Sequence, residues 1–171
     1  MNSALVIVDV QRLLVDELEP SRRERFLSTL ADLRSRARAA GVPVIYIRHQ
    51  DEEFVPGSAA WHIASEIAPG EGDPIVEKRF RDSFRETDLE DVLHRFSVEQ
   101  LVVCGMQTEF CVDATMREAE RRGYRVTLVE DGTATYAAGG LSEDQIREHV
   151  HRVARGKVAD IAPASALFSD T

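Results

Sequence analysis

The chain has 171 residues, of which 43% are hydrophobic and 30% are charged, and its formal net charge is −9 at pH 7. This length and composition suit one globular domain with a sizeable core. The acidic balance argues against nucleic acid and anionic membranes as partners, because a phosphate-rich surface requires a basic protein face.

The sequence shows neither a signal peptide nor a membrane span. Residues 1–3 lead straight into an apolar run, without a basic region and a cleavage site. No apolar run approaches the roughly 20 residues that a bilayer requires. Cys104 and Cys111 lie close together, which does not suit an extracellular disulfide framework. We therefore expect a cytoplasmic protein.

Apolar runs and helical periodicity divide the chain into alternating elements. In chain order we predict strand 4–8, helix 21–40, strand 42–47, strand 74–77, helix 87–96, strand 101–104, helix 109–122, strand 126–129, helix 142–155 and strand 158–161. Gly41, Gly123 and Gly156 follow three of the helices, where glycine commonly ends a helix. The alternation predicts an α/β protein with a three-layer α/β/α, Rossmann-like fold and a mostly parallel sheet of about six strands.

We expect residues 1–171 to form a single domain with a pocket-lining insertion around 49–72. That segment is irregular and rich in proline and glycine, with room for a short helix near 58–67. Long irregular segments often serve as lids or pocket walls. In parallel sheets of this kind, ligands bind at the carboxyl ends of the strands. The residues that follow the predicted strands are therefore the first candidates for a functional site.

Cys111 lies at a predicted strand-to-helix junction, within residues 105–113. In the first turn of a helix, the unpaired N–H groups and the helix dipole stabilise a thiolate. A cation such as Lys78 would lower the thiol pKa further. The alternative interpretation is a buried structural cysteine, since free cysteines are among the most buried residues.

Asp9 and Lys78 also follow predicted strands. Asp9 ends an apolar run, and a carboxylate in such a place suits proton transfer, although it could equally cap a loop. Lys78 stands among many charges, where lysine is usually solvated surface, and Arg79 is its local rival. Its place at a strand end keeps it a candidate.

Taken together, these positions resemble the isochorismatase-like superfamily, in its cysteine hydrolase branch that includes nicotinamidases and N-carbamoylsarcosine amidases. The resemblance covers nearly the whole chain. It rests on four segments in the family's order and spacing, namely 5–11 (LVIVDVQ), 76–84 (VEKRFRDSF), 103–117 (VCGMQTEFCVDATMR) and 126–132 (VTLVEDG).

The resemblance implies a catalytic triad of Asp9, Lys78 and Cys111. It also implies a cis peptide bond at Met106–Gln107 and an oxyanion hole formed by the backbone N–H groups of Gln107 and Cys111. The implied activity is hydrolysis of an amide-type C–N bond of a small molecule through a thioester. For the substrate pocket, the candidates are Gln11, Trp61, Phe84 and Tyr136.

Two other functions stay open. Isochorismatase-type vinyl-ether hydrolysis is one, although relatives of that type lack a cysteine at the position of Cys111. The other is a non-catalytic binding or thiol-sensing module on the same fold, which an unreactive Cys111 would favour.

A metal site is not expected. Nicotinamidases hold a metal with an Asp-x-His…His pattern, whereas the equivalent stretch here reads Arg48-His49-Gln50-Asp51, with His62 later. We therefore predict no metal and no other cofactor. The two histidines either line a pocket or are polar loop residues, and we favour the second interpretation. The resemblance implies a small-molecule substrate and a homo-oligomer, a dimer or larger. The substrate itself is not indicated by the sequence.

Overall fold

The apolar run at the start of the chain forms one of the two central strands of a parallel sheet. The structure is a computed structural model that describes residues 2–169. Within that range the sheet has six strands, β1 (Ser3–Val8), β2 (Val44–His49), β3 (Ile75–Lys78), β4 (Gln100–Met106), β5 (Arg125–Ala134) and β6 (Asp160–Ala162). Their order is β3-β2-β1-β4-β5-β6, and every pairing between them is parallel.

Helices cover both faces of this sheet. They are α1 (Arg12–Val15), α2 (Pro20–Ala39), α3 (Leu89–Arg95), α4 (Asp113–Arg121) and α5 (Glu143–Ala154). Alternate residues of β1 point to opposite faces, so Leu5 and Ile7 pack with α2, while Val6 and Val8 pack with α3, α4 and α5. The expected three-layer α/β/α fold is thereby confirmed. In residues 2–169, no helix is both long and apolar enough to cross a membrane.

Three predicted elements differ from those observed. The predicted helix 109–122 begins instead with a π-helical turn over Thr108–Val112, in which the Val112 N–H donates to the Gln107 carbonyl, and α4 follows it. Near 58–67 the chain forms only a 3₁₀ turn, Ser65–Ile67. Strand β5 continues beyond 129 because its pairing with β4 is interrupted by an irregularity and then resumes.

The direction in which successive strands are added to the sheet reverses between β1 and β4. From β1 the order runs outward to β2 and β3, and from β4 it runs outward to β5 and β6. Such a switch point opens a crevice at the carboxyl ends of the two central strands. Asp9 follows β1 there, with φ of 49°, and the π-helical turn follows β4.

The two central strands approach each other closely at Gly105. This residue has φ of +122°, and a Cβ built on it would lie 2.1 Å from the carbonyl oxygen of Val8. Only glycine avoids that clash, because it has no Cβ and tolerates positive φ. Gly105 therefore allows β1 and β4 to lie this close together. These two strands lead into Asp9 and into the turn that contains Cys111.

Candidate active site

The structure brings Asp9, Lys78 and Cys111 together at this crevice. Nζ of Lys78 lies 2.7 Å from Oδ2 of Asp9 and 3.4 Å from Sγ of Cys111. These residues come from the carboxyl ends of β1 and β3 and from the π-helical turn after β4. The strand-end rule applied to the sequence thus predicted which residues meet.

Two of these groups form a buried ion pair. The side chains of Lys78 and Asp9 are 0% and 2% exposed. Both charges need this pairing, because an isolated charge in a protein interior is strongly destabilising. Oδ1 of Asp9 is also buried, and it has no hydrogen-bond partner among the described residues. That oxygen is the one of the two that Lys78 does not bind.

The thiol of Cys111 is held in its protonated form. Burial, followed by the negative charge of Asp9, raises its pKa to about 12, and Lys78 lowers the pKa by a smaller amount. This direction is opposite to the one expected from the sequence, which considered the helix start and Lys78 but not burial beside a carboxylate. A thiolate must therefore form during a reaction by proton transfer rather than stand ready in the free protein.

Asp9→Asn should make this thiol more reactive. Removal of the carboxylate charge lowers the pKa of Cys111, so we expect alkylation by iodoacetamide at pH 8 to accelerate by roughly tenfold. In the unsubstituted protein the rate should keep rising through pH 10, since the thiol pKa is about 12. Peptide mapping separates Cys111 from the fully buried Cys104. An unchanged or slower rate in the variant would contradict the effect assigned to Asp9.

A cis peptide bond and two backbone hydrogen bonds shape the chain before Cys111. The peptide bond between Met106 and Gln107 is cis. The carbonyl of Gln107 accepts the N–H groups of Phe110 at 3.1 Å and Val112 at 3.2 Å, which holds the π-helical turn in place. The assignment of the Gln107 and Cys111 N–H groups to an oxyanion hole stays a prediction.

Gln11 and Trp61 lie close to the site but differ in whether their side chains are free to contact a substrate. Gln11 is fully buried; its Nε2 donates to the carbonyls of His49 and Trp61, and its Oε1 accepts the His49 N–H. The Gln11 amide is therefore committed to main-chain groups. The Trp61 ring is half-buried, and the Arg48 guanidinium stacks 3.4 Å from its centroid.

Phe84 and Tyr136 are engaged elsewhere. Phe84 is only 5% exposed and stacks on Tyr124 within the core on the α3–α5 face. That position does not support a role in a pocket. The hydroxyl of Tyr136 donates to the carbonyl of Leu14, so the half-buried ring of Tyr136 is held against the α1 region.

His49 is a member of the site that the sequence reasoning missed. It lies at the end of β2, directly opposite Lys78 in the β2–β3 register. Its Nδ1 is 3.0 Å from Nζ of Lys78, and its Nε2 is 2.9 Å from Oδ2 of Asp51. The interpretation of His49 as a polar loop residue is therefore wrong. The signal that could have found it is its place at a strand end, like that of Lys78.

A cavity near the site is lined by Asp51, whose carboxylate contacts His49, and by none of the three triad residues. It measures about 350 Å³ and is lined by Gln50, Asp51, Glu52, Pro56 and Arg79. Four of these residues belong to the irregular 49–72 segment. In residues 2–169, no group of three or more His, Cys, Asp or Glu side chains is arranged to hold a metal ion.

Comparisons with known proteins find a matching family model and named relatives. A family model described as the isochorismatase domain matches residues 3–160. Streptothricin hydrolase from Streptomyces noursei is 40% identical over 82% of this chain, which spans only 58% of that relative. Ureidoacrylate amidohydrolase from Azorhizobium caulinodans is 28% identical over 80% of this chain and 77% of its own length.

A solved structure shares the fold over nearly the whole chain. The isochorismatase from Pseudomonas putida KT2440 superposes with a TM-score of 0.89 at 31% identity, covering 97% of this chain and 90% of that one. This coverage includes both halves of the sheet and the crevice between them. The family model spans the same elements. The chain belongs to the isochorismatase family.

Proposed function

We propose that this protein is a cysteine-dependent hydrolase that cleaves an amide-type C–N bond of a small molecule through a thioester. The observation that carries the proposal is the position of the Lys78 ammonium, which contacts both the Asp9 carboxylate and the Cys111 sulfur. Relatives with 40% and 28% identity are named a hydrolase and an amidohydrolase, which supports this reaction type.

The acylation half of the reaction begins at the thiol. Asp9 takes the proton of Cys111, and the positive charge of Lys78 stabilises the resulting thiolate. The sulfur attacks the substrate carbonyl carbon, and the N–H groups of Gln107 and Cys111 hold the developing oxyanion. Asp9 then returns its proton to the leaving nitrogen. The C–N bond breaks as this proton arrives, which leaves an acyl group on the sulfur and releases an amine or ammonia.

The deacylation half uses the same carboxylate. Asp9 accepts a proton from water, which attacks the thioester carbon. A C–O bond forms, the C–S bond breaks, and the proton returns to the sulfur. The balance is one amide and one water converted to one acid and one amine. Oδ1 of Asp9, which has no hydrogen-bond partner among residues 2–169, supports this use of Asp9 as the proton acceptor.

An activity screen tests this proposal. A panel of small primary amides and ureido acids would be assayed for ammonia release, and acid-quenched reactions would be examined by mass spectrometry for an acyl group on Cys111. For any substrate found, Cys111→Ala should lower turnover by at least ~10³-fold, because the nucleophile is removed.

Cys104 provides a matched control for this screen. It is fully buried on the opposite face of the sheet, in the α2 core, so Cys104→Ala should retain turnover. Near-normal activity of Cys111→Ala, or turnover without any adduct in the unsubstituted enzyme, would refute the covalent mechanism. Cleavage of a vinyl ether instead of amides would support the isochorismatase-type reaction.

The same proposal includes the domain organisation, cellular location and oligomeric state of the enzyme. It comprises a single domain over residues 1–171, with the 49–72 segment lining the pocket, a cytoplasmic location and a homo-oligomer, a dimer or larger. Four of the five residues around the cavity that includes Asp51 come from that segment, and Asp51 contacts His49. Both observations support a pocket-lining role for the segment. The free state of both cysteines fits a reducing compartment.

A further inference from the structure

The ammonium of Lys78 has three hydrogens and three acceptors. It contacts Asp9 Oδ2 at 2.7 Å, His49 Nδ1 at 3.0 Å and Cys111 Sγ at 3.4 Å. A lysine ammonium carries three N–H donors and no acceptor, and this side chain is 0% exposed, so solvent does not supply a partner. Asp9 and Cys111 account for two of the donors, and His49 accounts for the third.

The contacts of His49 define its tautomer. Since the Lys78 ammonium only donates, Nδ1 of His49 must accept and carries no proton. The ring proton is then on Nε2, which faces Oδ2 of Asp51 at 2.9 Å. The other oxygen of Asp51 accepts the backbone N–H groups of Glu53 at 2.8 Å and Phe54 at 2.9 Å. Asp51 is therefore fixed and selects this tautomer.

The backbone and ring of His49 are also fixed. Gln11 binds its N–H at 2.8 Å and its carbonyl at 2.9 Å through one side-chain amide. The ring packs edge-on against Phe54, with 5.3 Å between the centroids. The parallel register places His49 opposite Lys78. These restraints leave the Nδ1 lone pair aimed at the ammonium.

We propose that His49 is a positioning residue for this reaction, a neutral acceptor that holds the Lys78 ammonium between Asp9 and Cys111, with Asp51 setting its tautomer. This inference rests on the proposed cysteine hydrolase function. Without that acceptor, one N–H of a buried ammonium has no partner, and the head group turns away from the sulfur to find one. A misplacement of about 1 Å at a reacting centre can cost ~10²-fold in rate.

A set of variants at position 49 tests the acceptor itself. His49→Phe keeps the ring shape and removes the acceptor, whereas His49→Asn places an amide oxygen near the position of Nδ1. We expect His49→Phe to lower kcat by about 10- to 100-fold with little change in KM, and His49→Asn to recover most of the loss. Asp51→Asn should show a smaller loss of kcat, because its amide no longer selects the tautomer.

A second readout is independent of the substrate. Alkylation of Cys111 by chloroacetamide at pH 9.5 should slow in His49→Phe, since a displaced Lys78 no longer favours the thiolate, and should be restored in His49→Asn. The control is His149→Phe. His149 is an exposed histidine of α5, outside residues 49–72, and both readouts should be unchanged.

The outcomes separate this inference from the function on which it rests. Equal kcat and alkylation rates in His49→Phe and His49→Asn would overturn the positioning role, even if Cys111→Ala is inactive. An active Cys111→Ala would instead overturn the hydrolase mechanism. Should His49→Phe fail to fold, His49→Gln takes its place, because its longer amide reaches towards Asp51 rather than Lys78. We then expect His49→Asn to be more active than His49→Gln, and the reverse order would overturn the inference.

Discussion

Lys78→Met should destabilise the protein by about 3–5 kcal/mol and remove turnover. Methionine matches the length of the lysine stem but leaves the Asp9 carboxylate, 2% exposed, without its counter-ion. Breaking a buried ion pair from one side costs this much because an unpaired charge stays in the interior. Domains are stable by only about 5–15 kcal/mol, so urea denaturation should show a large fall in midpoint. Turnover should fall by at least ~10³-fold, since no cation then favours the thiolate.

The double variant Asp9→Asn with Lys78→Met separates the two effects. Asparagine tolerates the positive φ of 49° at position 9 better than most residues do, and it carries no charge. Removing both charges should recover much of the lost stability, because neutral replacements of a buried pair are often tolerated. Activity should stay absent. If Lys78→Met alone unfolded at the same urea concentration as the unsubstituted protein, the ion pair would not be the buried contact described above.

Gly105→Ala should prevent stable folding. The new Cβ would lie 2.1 Å from the oxygen, 2.7 Å from the nitrogen and 2.8 Å from the carbonyl carbon of Val8, all of them backbone atoms of the neighbouring strand. Backbone in the centre of a sheet cannot move aside as a flexible side chain can, so β1 and β4 must separate. We expect a loss of more than ~4 kcal/mol, in the exceptional range for one substitution, measured by denaturation or seen as insoluble protein.

Gly123→Ala is the matched control for this prediction. Gly123 also has a positive φ, of +90°, but a Cβ there meets no atom within 4 Å. Its substitution should therefore cost only the backbone strain, about 1–2 kcal/mol. Similar losses in the two variants would mean that the positive φ, and not the contact between β1 and β4, explains the need for Gly105.

The sequence predicted the layers and the meeting of the three strand-end residues for a physical reason. Strands buried on both faces are continuous apolar runs, so β1 and β4 were recognisable without any tertiary information. The carboxyl ends of parallel strands share one edge, which brought Asp9, Lys78 and the turn containing Cys111 to a common place. The family resemblance pointed to the same residues.

A position near a strand end marks a residue as a candidate, but which candidates touch depends on distances that no local pattern contains. The contact of His49 with Lys78 follows from the register of β2 on β3, which is fixed by packing along both strands. The thiol pKa of Cys111 follows from burial beside Asp9, not from its place in the chain. Phe84 lies in the loop that follows β3, and its ring enters the core on the α3–α5 face. The sequence gives no sign of which way an aromatic residue in a loop points.

The hydrogen bonds of Gln11 have a consequence for how new specificities could arise. Its carboxamide joins the main chain of His49 to the main chain of Trp61, and main-chain atoms are the same whatever side chain is present. Position 61 can therefore exchange its ring for another group while the anchor persists. In the proposed enzyme, the side chain at position 61 is therefore free to change without moving the triad, so long as the glutamine is retained.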